Sequence, residues 1–186
     1  MIKTKFYTGV GDKGSSLMGK EKVAKNDPLF LALGGLDELN SWIGFCRAGS
    51  VGNSKLKEVA QSLKNTQESL FIVQAEIAAI GSKMKPKVRV SVEKTEDTER
   101  EIACIDAKIP KITRFIIPGE SEVSARLDVA RTMARRVERA VKEYSTKKLL
   151  RPELLQYLNR LSSLLFALAR LVNHQLKIKE EHPSYK

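Results

Sequence analysis

The chain has 186 residues, of which 42% are hydrophobic and 30% are charged, and its formal net charge is +11. This length suits one domain with a substantial core, and the composition excludes a disordered chain. No apolar run approaches the length of a membrane span and no signal peptide precedes Thr8, so we expect a soluble, cytoplasmic protein. The positive charge favours anionic partners (nucleic acid, anionic lipid or phosphorylated small molecules) or else forms a solvated lysine-rich surface.

The first distinctive segment is a glycine-rich loop at residues 8–16, Thr-Gly-Val-Gly-Asp-Lys-Gly-Ser-Ser. Backbone N–H groups freed by glycine, together with Lys13 and hydroxyl groups, are typical of phosphate-binding loops. Gly9 and Gly14 have the spacing of a Walker loop, but Ser15 stands where the lysine belongs and no hydrophobic strand comes before it. The loop therefore either binds phosphate outside a P-loop fold or is a flexible N-terminal segment.

Periodicity, caps and breakers predict five helices, at residues 28–46, 54–80, 91–107, 121–144 and 152–177. Asp27 is the expected N-cap of the first helix and Gly81 the expected end of the second. Apolar residues three and four apart along the fourth and fifth helices predict seams that pack against partner helices. No segment shows strand alternation, so the prediction is an all-α antiparallel five-helix bundle.

The predicted bundle spans residues 27–178 of a single domain, with an N-terminal loop at 1–26 and a tail at 179–186. The only cysteines are Cys46 and Cys104, whose spacing matches no metal motif, so we expect reduced thiols and predict no protein metal site. The only two histidines lie near the C-terminus, which argues against a zinc site or a histidine-based nucleophilic triad.

The fourth helix carries a charged face beside its apolar seam. Its residues are Arg131, Arg135, Glu138 and Lys142, at positions i, i+4, i+7 and i+11. We expect this face to be half-buried, and arginine suits a bidentate grip on phosphate. The alternative is an Arg–Glu ladder on a solvated face. Arg136 and Arg139 point the other way, towards solvent or a neighbouring subunit.

Three further residues have open alternatives. Asn159, in the middle of the leucine-rich fifth helix, is either a paired polar group or part of an exposed face. Asp37 lies on a small, polar face of the first helix, where it either pairs with an arginine of the fourth helix or is a plain surface carboxylate. Phe115, in an apolar loop before the fourth helix, is either a core residue or the wall of a pocket.

Three blocks, taken in order, carry a resemblance to a known family. Residues 8–25 contain Gly-Asp-Lys-Gly, and residues 34–44 read Gly-Gly-Leu-Asp-Glu-Leu-Asn-Ser-Trp-Ile-Gly. Residues 115–173 contain Phe-Ile-Ile-Pro-Gly, Ala-Arg-Thr-Met-Ala-Arg-Arg-Val-Glu-Arg and Tyr-Leu-Asn-Arg-Leu-Ser. Together they resemble the PduO-type ATP:corrinoid adenosyltransferases, also called ATP:cob(I)alamin adenosyltransferases. The similarity spans about residues 4–173 and is weak between 51 and 114.

The resemblance implies a ferritin-like five-helix bundle that assembles as a homotrimer with active sites between subunits. It implies transfer of the 5′-deoxyadenosyl group of ATP, bound with Mg²⁺, to the Co(I) of a corrinoid such as cob(I)alamin. The products would be adenosylcobalamin and triphosphate. Because the corrinoid supplies the nucleophile, the protein needs no activated serine or cysteine. A flavoprotein reductase would be a further partner.

Carried over position by position, the resemblance assigns a set of residues to ATP: Thr8, Gly9, Gly11, Asp12, Lys13, Gly14, Ser15, Ser16, Lys25, Arg135, Arg136, Glu138, Arg139 and Asn159. It places Lys25 and Arg135 on the polyphosphate. It pairs Arg131 with Asp37 across the subunit interface, and it places Phe115 under the corrin ring, where it keeps the lower axial position of cobalt empty. Arg135, Phe115, Asp37 and Arg131 are thus the expected catalytic residues.

The sequence departs from the commoner family pattern at four positions of interest. Leu33, Glu120, Asp128 and Ser163 stand where tyrosine, glycine, histidine and aspartate are usual. None is an expected triphosphate ligand, but the departures leave the corrinoid preference open.

Two other functions are alternatives to adenosyl transfer. A basic helical nucleic-acid-binding protein would use the arginines of the fourth helix, although only 6% of residues are the aromatics that base stacking needs. The third option is a catalytically inactive bundle that only assembles.

Overall fold

The computed structural model describes Gly9 and residues 11–185, so Thr8 and Val10 of the glycine-rich loop lie outside the described residues. The elements in chain order are β1 (Ser15–Met18), β2 (Glu21–Ala24), α1 (Pro28–Ser50), a 3₁₀ turn (Ser54–Leu56), α2 (Lys57–Gly81), α3 (Val92–Asp106), α4 (Glu122–Tyr144) and α5 (Pro152–Leu176). The five predicted helices are confirmed, and α1 extends four residues beyond its predicted end.

Local chemistry explains where the helices begin and end. The Leu29 N–H donates to the Asp27 side chain over 2.8 Å, which confirms the predicted N-cap of α1. Ser121 and Ser124 cap the start of α4 reciprocally. At the C-terminal end of α5, Lys177 adopts a left-handed conformation with φ of 57°, and the Ile178 N–H donates to the Asn173 carbonyl over 2.9 Å.

The prediction that the chain has no strand was wrong. β1 and β2 form an antiparallel hairpin in which Ser15 pairs with Ala24 and Met18 with Glu21. A two-residue turn joins them, and Gly19 opens it at φ of +64°, a conformation that glycine adopts readily. Four-residue strands are too short to show alternation, although Gly-Lys between them is a hairpin signal. The fold is therefore mostly helical with a small two-stranded sheet, rather than all-α.

The helices pack around one core. α4 lies between α1 and α5, α1 also packs on α2, and α3 packs on α5. α1 and α4 run antiparallel, because Gly35 faces Val137 at one end and Gly49 faces Val123 at the other. The Trp42 indole N–H donates to the Arg126 carbonyl over 2.9 Å and joins the same two helices. No helix among the described residues is long and apolar enough to cross a membrane.

Both cysteines are free thiols. Cys46 is buried in the core, and this burial raises the pKa of its thiol to about 12, so it remains protonated and unreactive. Cys104 is exposed on α3.

A buried carboxylate joins the ends of α2 and α5. Glu76 is fully buried on α2, where it accepts the Arg151 Nε–H over 2.8 Å and the Val90 N–H over 2.9 Å. Arg151 also donates to the Val90 carbonyl. Because a buried charge is costly unless it is paired, Arg151 holds the loop before α3 and the start of α5 against α2.

We predict that Arg151→Ala lowers the free energy of unfolding by about 3 kcal/mol, because it leaves the Glu76 carboxylate buried without its cation. Urea denaturation followed by circular dichroism measures this loss. Arg100→Ala is the matched control, since Arg100 forms its ion pairs with Asp97 and Glu96 on the exposed face of α3. Equal midpoints for the two variants would contradict the structural role given to Arg151.

Candidate active site

A cavity of about 920 Å³ opens between α3, α4, α5 and the α3–α4 loop. Its walls include the apolar side chains of Ile102, Phe115 and Phe166, and its charged lining includes Arg131 and Arg135. This volume lies at the upper end of the range for small-molecule sites, and a mostly apolar wall with a few charged groups is typical of them. The cavity therefore suits a large ligand with both an apolar face and anionic groups nearby.

Phe115 is part of the cavity wall and not of the core. Its side chain is 79% exposed, and it lies in the α3–α4 loop with Ile116 and Pro118, which also line the cavity. Exposure of a large aromatic ring costs free energy in water unless a ligand covers it. Of the two alternatives for Phe115, the structure supports the pocket wall.

The arginines of α4 differ in their partners. Arg131 lies beside Asp128, with 3.6 Å between Nε and Oδ1, and Arg136 pairs with Glu38 of α1 over 2.7 Å. Arg135 lines the cavity and forms no ion pair with any of the described residues. The charged face is therefore not an Arg–Glu ladder, and Arg135 presents an unpaired guanidinium to whatever occupies the cavity.

Glu138 of α4 and Asn159 of α5 are brought together. The Asn159 amide donates to Glu138 Oε1 over 2.8 Å, and Arg160 donates to Asn159 Oδ1 over 2.8 Å. Arg160 in turn pairs with Glu99 of α3 over 2.6 Å. Asn159 is thus an exposed polar group held in one orientation by its neighbours, whereas Arg139, also expected at the site, is simply exposed.

A buried charge cluster beside the cavity was not found from the sequence. Arg170 is 3% exposed and donates to Asp128 Oδ2 over 2.7 Å and to Glu180 Oε1 over 2.8 Å. Burial raises the pKa of the Asp128 carboxyl, and the charges of Arg170 and Arg131 oppose that rise. The available signal was an arginine within the apolar run Leu-Ala-Arg-Leu-Val, since a buried arginine needs acidic partners.

The glycine-rich loop and Lys25 lie together. Gly9 and Gly14 have φ of +70° and +74°, which explains glycine at both positions. The Lys25 N–H donates to the Gly14 carbonyl over 3.0 Å, and a Cβ on Gly11 would lie 3.0 Å from Lys25 Nζ. The hairpin thus returns the chain so that Lys25 lies against the loop. Asp12 and Lys13 are exposed and Ser16 is half-buried.

Ser15 carries an orphaned polar atom in the same loop. Its hydroxyl oxygen is buried and has no hydrogen-bond partner among the described residues. A buried hydroxyl without a partner costs free energy, so this loop has unused hydrogen-bonding capacity.

The cavity and the glycine-rich loop are separate within one chain. Ion pairs of 2.7 Å from Glu21 to Lys83 and 3.7 Å from Asp27 to Lys147 hold the hairpin region at the bundle end where α2 and α4 finish. The cavity lining includes none of the described residues between 9 and 25. Arg135 lies nine residues before the end of α4, about 14 Å along the helix axis.

Asp37 and Arg131 are not paired within the chain. Asp37 is exposed on α1 and forms no ion pair with any residue in the described part of the chain. The ion pair of Arg131 is with Asp128. The expected Asp37–Arg131 contact across a subunit interface stays a prediction.

Comparisons of this chain with a family model and with known proteins agree on one family. The model of the cobalamin adenosyltransferase family matches residues 6–172. The corrinoid adenosyltransferase PduO of Citrobacter freundii is 39% identical over 91% of this chain and 50% of its own length. The corrinoid adenosyltransferase PduO of Salmonella typhimurium strain LT2 is 37% identical over 95% of this chain and 53% of its own length. This chain therefore spans about half the length of these two relatives, whereas it covers 86% of the corrinoid adenosyltransferase of Bacillus subtilis strain 168, which is 33% identical.

Solved structures agree with this result. A variant PduO-type ATP:corrinoid adenosyltransferase from Lactobacillus reuteri, complexed with cobalamin and ATP, superposes with a TM-score of 0.88 and 31% identity over 97% of both chains. Another variant from the same organism, complexed with ATP, superposes with a TM-score of 0.87 and 30% identity over 96% of this chain and 99% of the other. The chain described here belongs to the cobalamin adenosyltransferase family.

Proposed function

We propose that this chain transfers the 5′-deoxyadenosyl group of ATP to the Co(I) of a corrinoid and releases triphosphate. The observation that carries the proposal is the cavity, which is lined by the exposed Phe115 ring and by Arg135, whose guanidinium forms no ion pair with a described residue. An apolar aromatic wall suits a corrin macrocycle, and an unpaired guanidinium suits a polyphosphate. Family membership and the Lactobacillus reuteri complexes support the same two substrates.

The reaction requires little covalent chemistry from the protein. The electron pair of Co(I) forms the bond to C5′ of ATP while the C5′–O bond breaks, and that bonding pair leaves with the triphosphate. The protein aligns the two substrates and stabilises the charge that develops on the leaving group. We assign charge stabilisation to Arg135 together with Lys13 of the glycine-rich loop and Lys25, which lies against that loop.

We assign the remaining nucleotide ligands to the glycine-rich loop and to α4 and α5. Residues 8–16 supply backbone N–H groups and hydroxyls, including the orphaned Ser15 hydroxyl, to the phosphates. The hydrogen-bonded Glu138–Asn159 pair offers oriented polar groups to the nucleoside. The exposed Arg139 and Arg136, which pairs with Glu38 in this chain, are the further cations that the resemblance assigns to ATP.

Mg²⁺ enters this proposal as a companion of ATP. The described residues contain no group of three or more His, Cys, Asp or Glu side chains that could hold a metal ion. Mg²⁺ does not need a site built from protein side chains alone, because it commonly keeps several waters and binds through substrate phosphates and one or two carboxylates. Asp12 and Glu138 are the carboxylates of the proposed ATP site. When bound, the ion neutralises phosphate charge.

We propose that the active sites lie between subunits of a homotrimer. The separation of the glycine-rich loop from the cavity within one chain supports this, because a second copy would bring the two together. Leu31 and Phe45 of α1 and Val129 of α4 are exposed apolar residues, which supports an interface on these helices, where Asp37 would meet Arg131 of a neighbour. Light scattering tests the assembly, with three times the 20.8 kDa chain mass as the expected result.

The proposed setting is the cytoplasm, with a flavoprotein reductase as the source of Co(I). Two free thiols are compatible with a reducing compartment. The choice among cobalamin, cobinamide and biosynthetic corrinoids is part of the experiment below.

The decisive experiment incubates the purified chain with ATP, Mg²⁺ and chemically reduced cobalamin, and follows the absorption spectrum of the adenosylated product. We expect conversion that requires all three components. A parallel reaction with cobinamide compares the corrinoids. Absence of conversion, accompanied by salt-sensitive binding of DNA or RNA, would overturn the proposal in favour of a nucleic-acid-binding function.

We predict that Arg135→Ala lowers kcat by about 10²- to 10³-fold, the usual effect of removing one group that stabilises developing negative charge. The variant should stay folded, because Arg135 is exposed and forms no ion pair with the described residues. Lys142→Ala is the matched control, since Lys142 is a cation two turns along the same face and outside the cavity lining. Steady-state kinetics at saturating ATP measures both, and equal rates would remove Arg135 from the site.

We predict that Phe115→Ala slows the reaction most when it starts from Co(II). An apolar ring below the macrocycle would keep water from the lower axial position, and a cobalt without that ligand accepts an electron more readily. The loss should be much smaller from pre-reduced Co(I). Ile112→Ala, in the same loop and cavity wall, controls for lost apolar surface. If Phe115→Ala loses the same factor from both oxidation states, its ring only packs.

A further inference from the structure

The last residues of the chain cross the α3–α4 loop. We define the C-terminal strap as residues 178–182, which follow α5. The Ile117 N–H donates to the Glu181 carbonyl over 2.9 Å, and His182 Nδ1 lies 2.8 Å from the Phe115 carbonyl oxygen, a geometry in which the ring N–H donates. Among hydrogen bonds between described residues, these two are the ones that tie residues 110–119 to the rest of the chain.

The strap is itself held by buried groups. Glu180 accepts hydrogen bonds from Arg170 over 2.8 Å and from the Asn173 amide over 3.0 Å. Arg170 and Asn173 are 3% and 1% exposed, so Glu180 joins the strap to a rigid part of α5. A third hydrogen bond joins the strap to the α3–α4 loop, because Glu120 Oε1 accepts the Glu181 N–H over 3.0 Å. Glu120 is one of the positions that depart from the commoner pattern.

From these contacts we infer that Glu180 and His182 are positioning residues, which hold the Phe115 loop so that its ring faces the corrinoid. The inference rests on the proposed function for the role of Phe115. An exposed loop that carries a ring at the reacting centre has many conformations in water, and fixing it before the substrate binds lowers the cost of alignment. Glu180 fixes the strap on α5, and His182 passes that restraint to the Phe115 backbone. Neither side chain lines the cavity, so both act through the loop.

Variants separate positioning from general stability. His182→Ala removes the hydrogen bond to the Phe115 carbonyl at an exposed site, so the fold should persist, and His182→Asn returns an N–H donor. Glu180→Ala removes the anchor on Arg170. Lys179→Ala is the control, because Lys179 is exposed in the same segment and its side chain makes no ion pair with a described residue.

The measurements are amide hydrogen exchange at Ile117 and the rate of adenosylcobalamin formation from Co(II) and from pre-reduced Co(I). For His182→Ala and Glu180→Ala we expect exchange at Ile117 to rise about tenfold and the Co(II)-dependent rate to fall about tenfold, with little change in the KM for ATP and in the Co(I) rate. His182→Asn should recover part of the rate, and Lys179→Ala should match the wild-type chain.

The inference is overturned if exchange at Ile117 does not change in either variant, or if both variants lose the same factor from Co(II) and Co(I). A wild-type chain that forms no product would contradict the proposed function instead. In that case, exchange at Ile117 still decides whether the strap holds the loop.

Discussion

The pairing of the buried Arg170 is the interaction on which the site depends. A guanidinium that is 3% exposed is tolerated only where acidic partners compensate its lost hydration. Its two partners come from different elements, Asp128 from α4 and Glu180 from the segment after α5. Meeting this single requirement fixes α4 against α5 at the cavity and brings the end of the chain across the loop that carries Phe115. The same buried arginine therefore both lines the cavity and anchors the segment that holds the Phe115 loop.

Ion pairing also distinguishes the cations that lie outside the core. Arg136 and Arg160 each have a carboxylate partner, whereas Arg114 and Arg135, which both line the cavity, have none among the described residues. Exposed pairs of this kind contribute little to stability, so their main effect is on charge distribution. The Arg136–Glu38 and Arg160–Glu99 pairs neutralise charge around the cavity, so that a positive charge remains in its lining. A net charge of +11 adds a general attraction for anions, and the cavity arginines that have no ion pair with a described residue give that attraction a location.

The sequence predicted the helices well and the site only in pieces, for identifiable physical reasons. Helix ends depend on local signals, and the predicted N-cap at Asp27 and the predicted helix start at Pro152 are both confirmed. Ion pairs between distant segments leave no such local signal. The Asp128–Arg170 pair joins residues 42 positions apart, and the cavity needs α3, α4 and α5 at once. Phe115 shows the same limit, because an apolar loop fits a core and a pocket wall equally well until its surroundings are known. The hairpin was missed since its two strands together have eight residues.

That hairpin has a consequence for how the proposed site is assembled. Its register places Ser15 opposite Ala24, so Lys25 lies against the glycine-rich loop. The hairpin is joined to the bundle end through Glu21 and Lys83, and Arg135 lies about 14 Å along the axis of α4 from the end of that helix. Arg135 lines the cavity, whereas none of the described residues between 9 and 25 does. In the proposed trimer, each loop would serve the cavity of a neighbouring subunit. On this view the hairpin is the element that presents the phosphate-binding loop to another copy of the chain, and the exposed apolar residues of α1 and α4 set which copy it reaches.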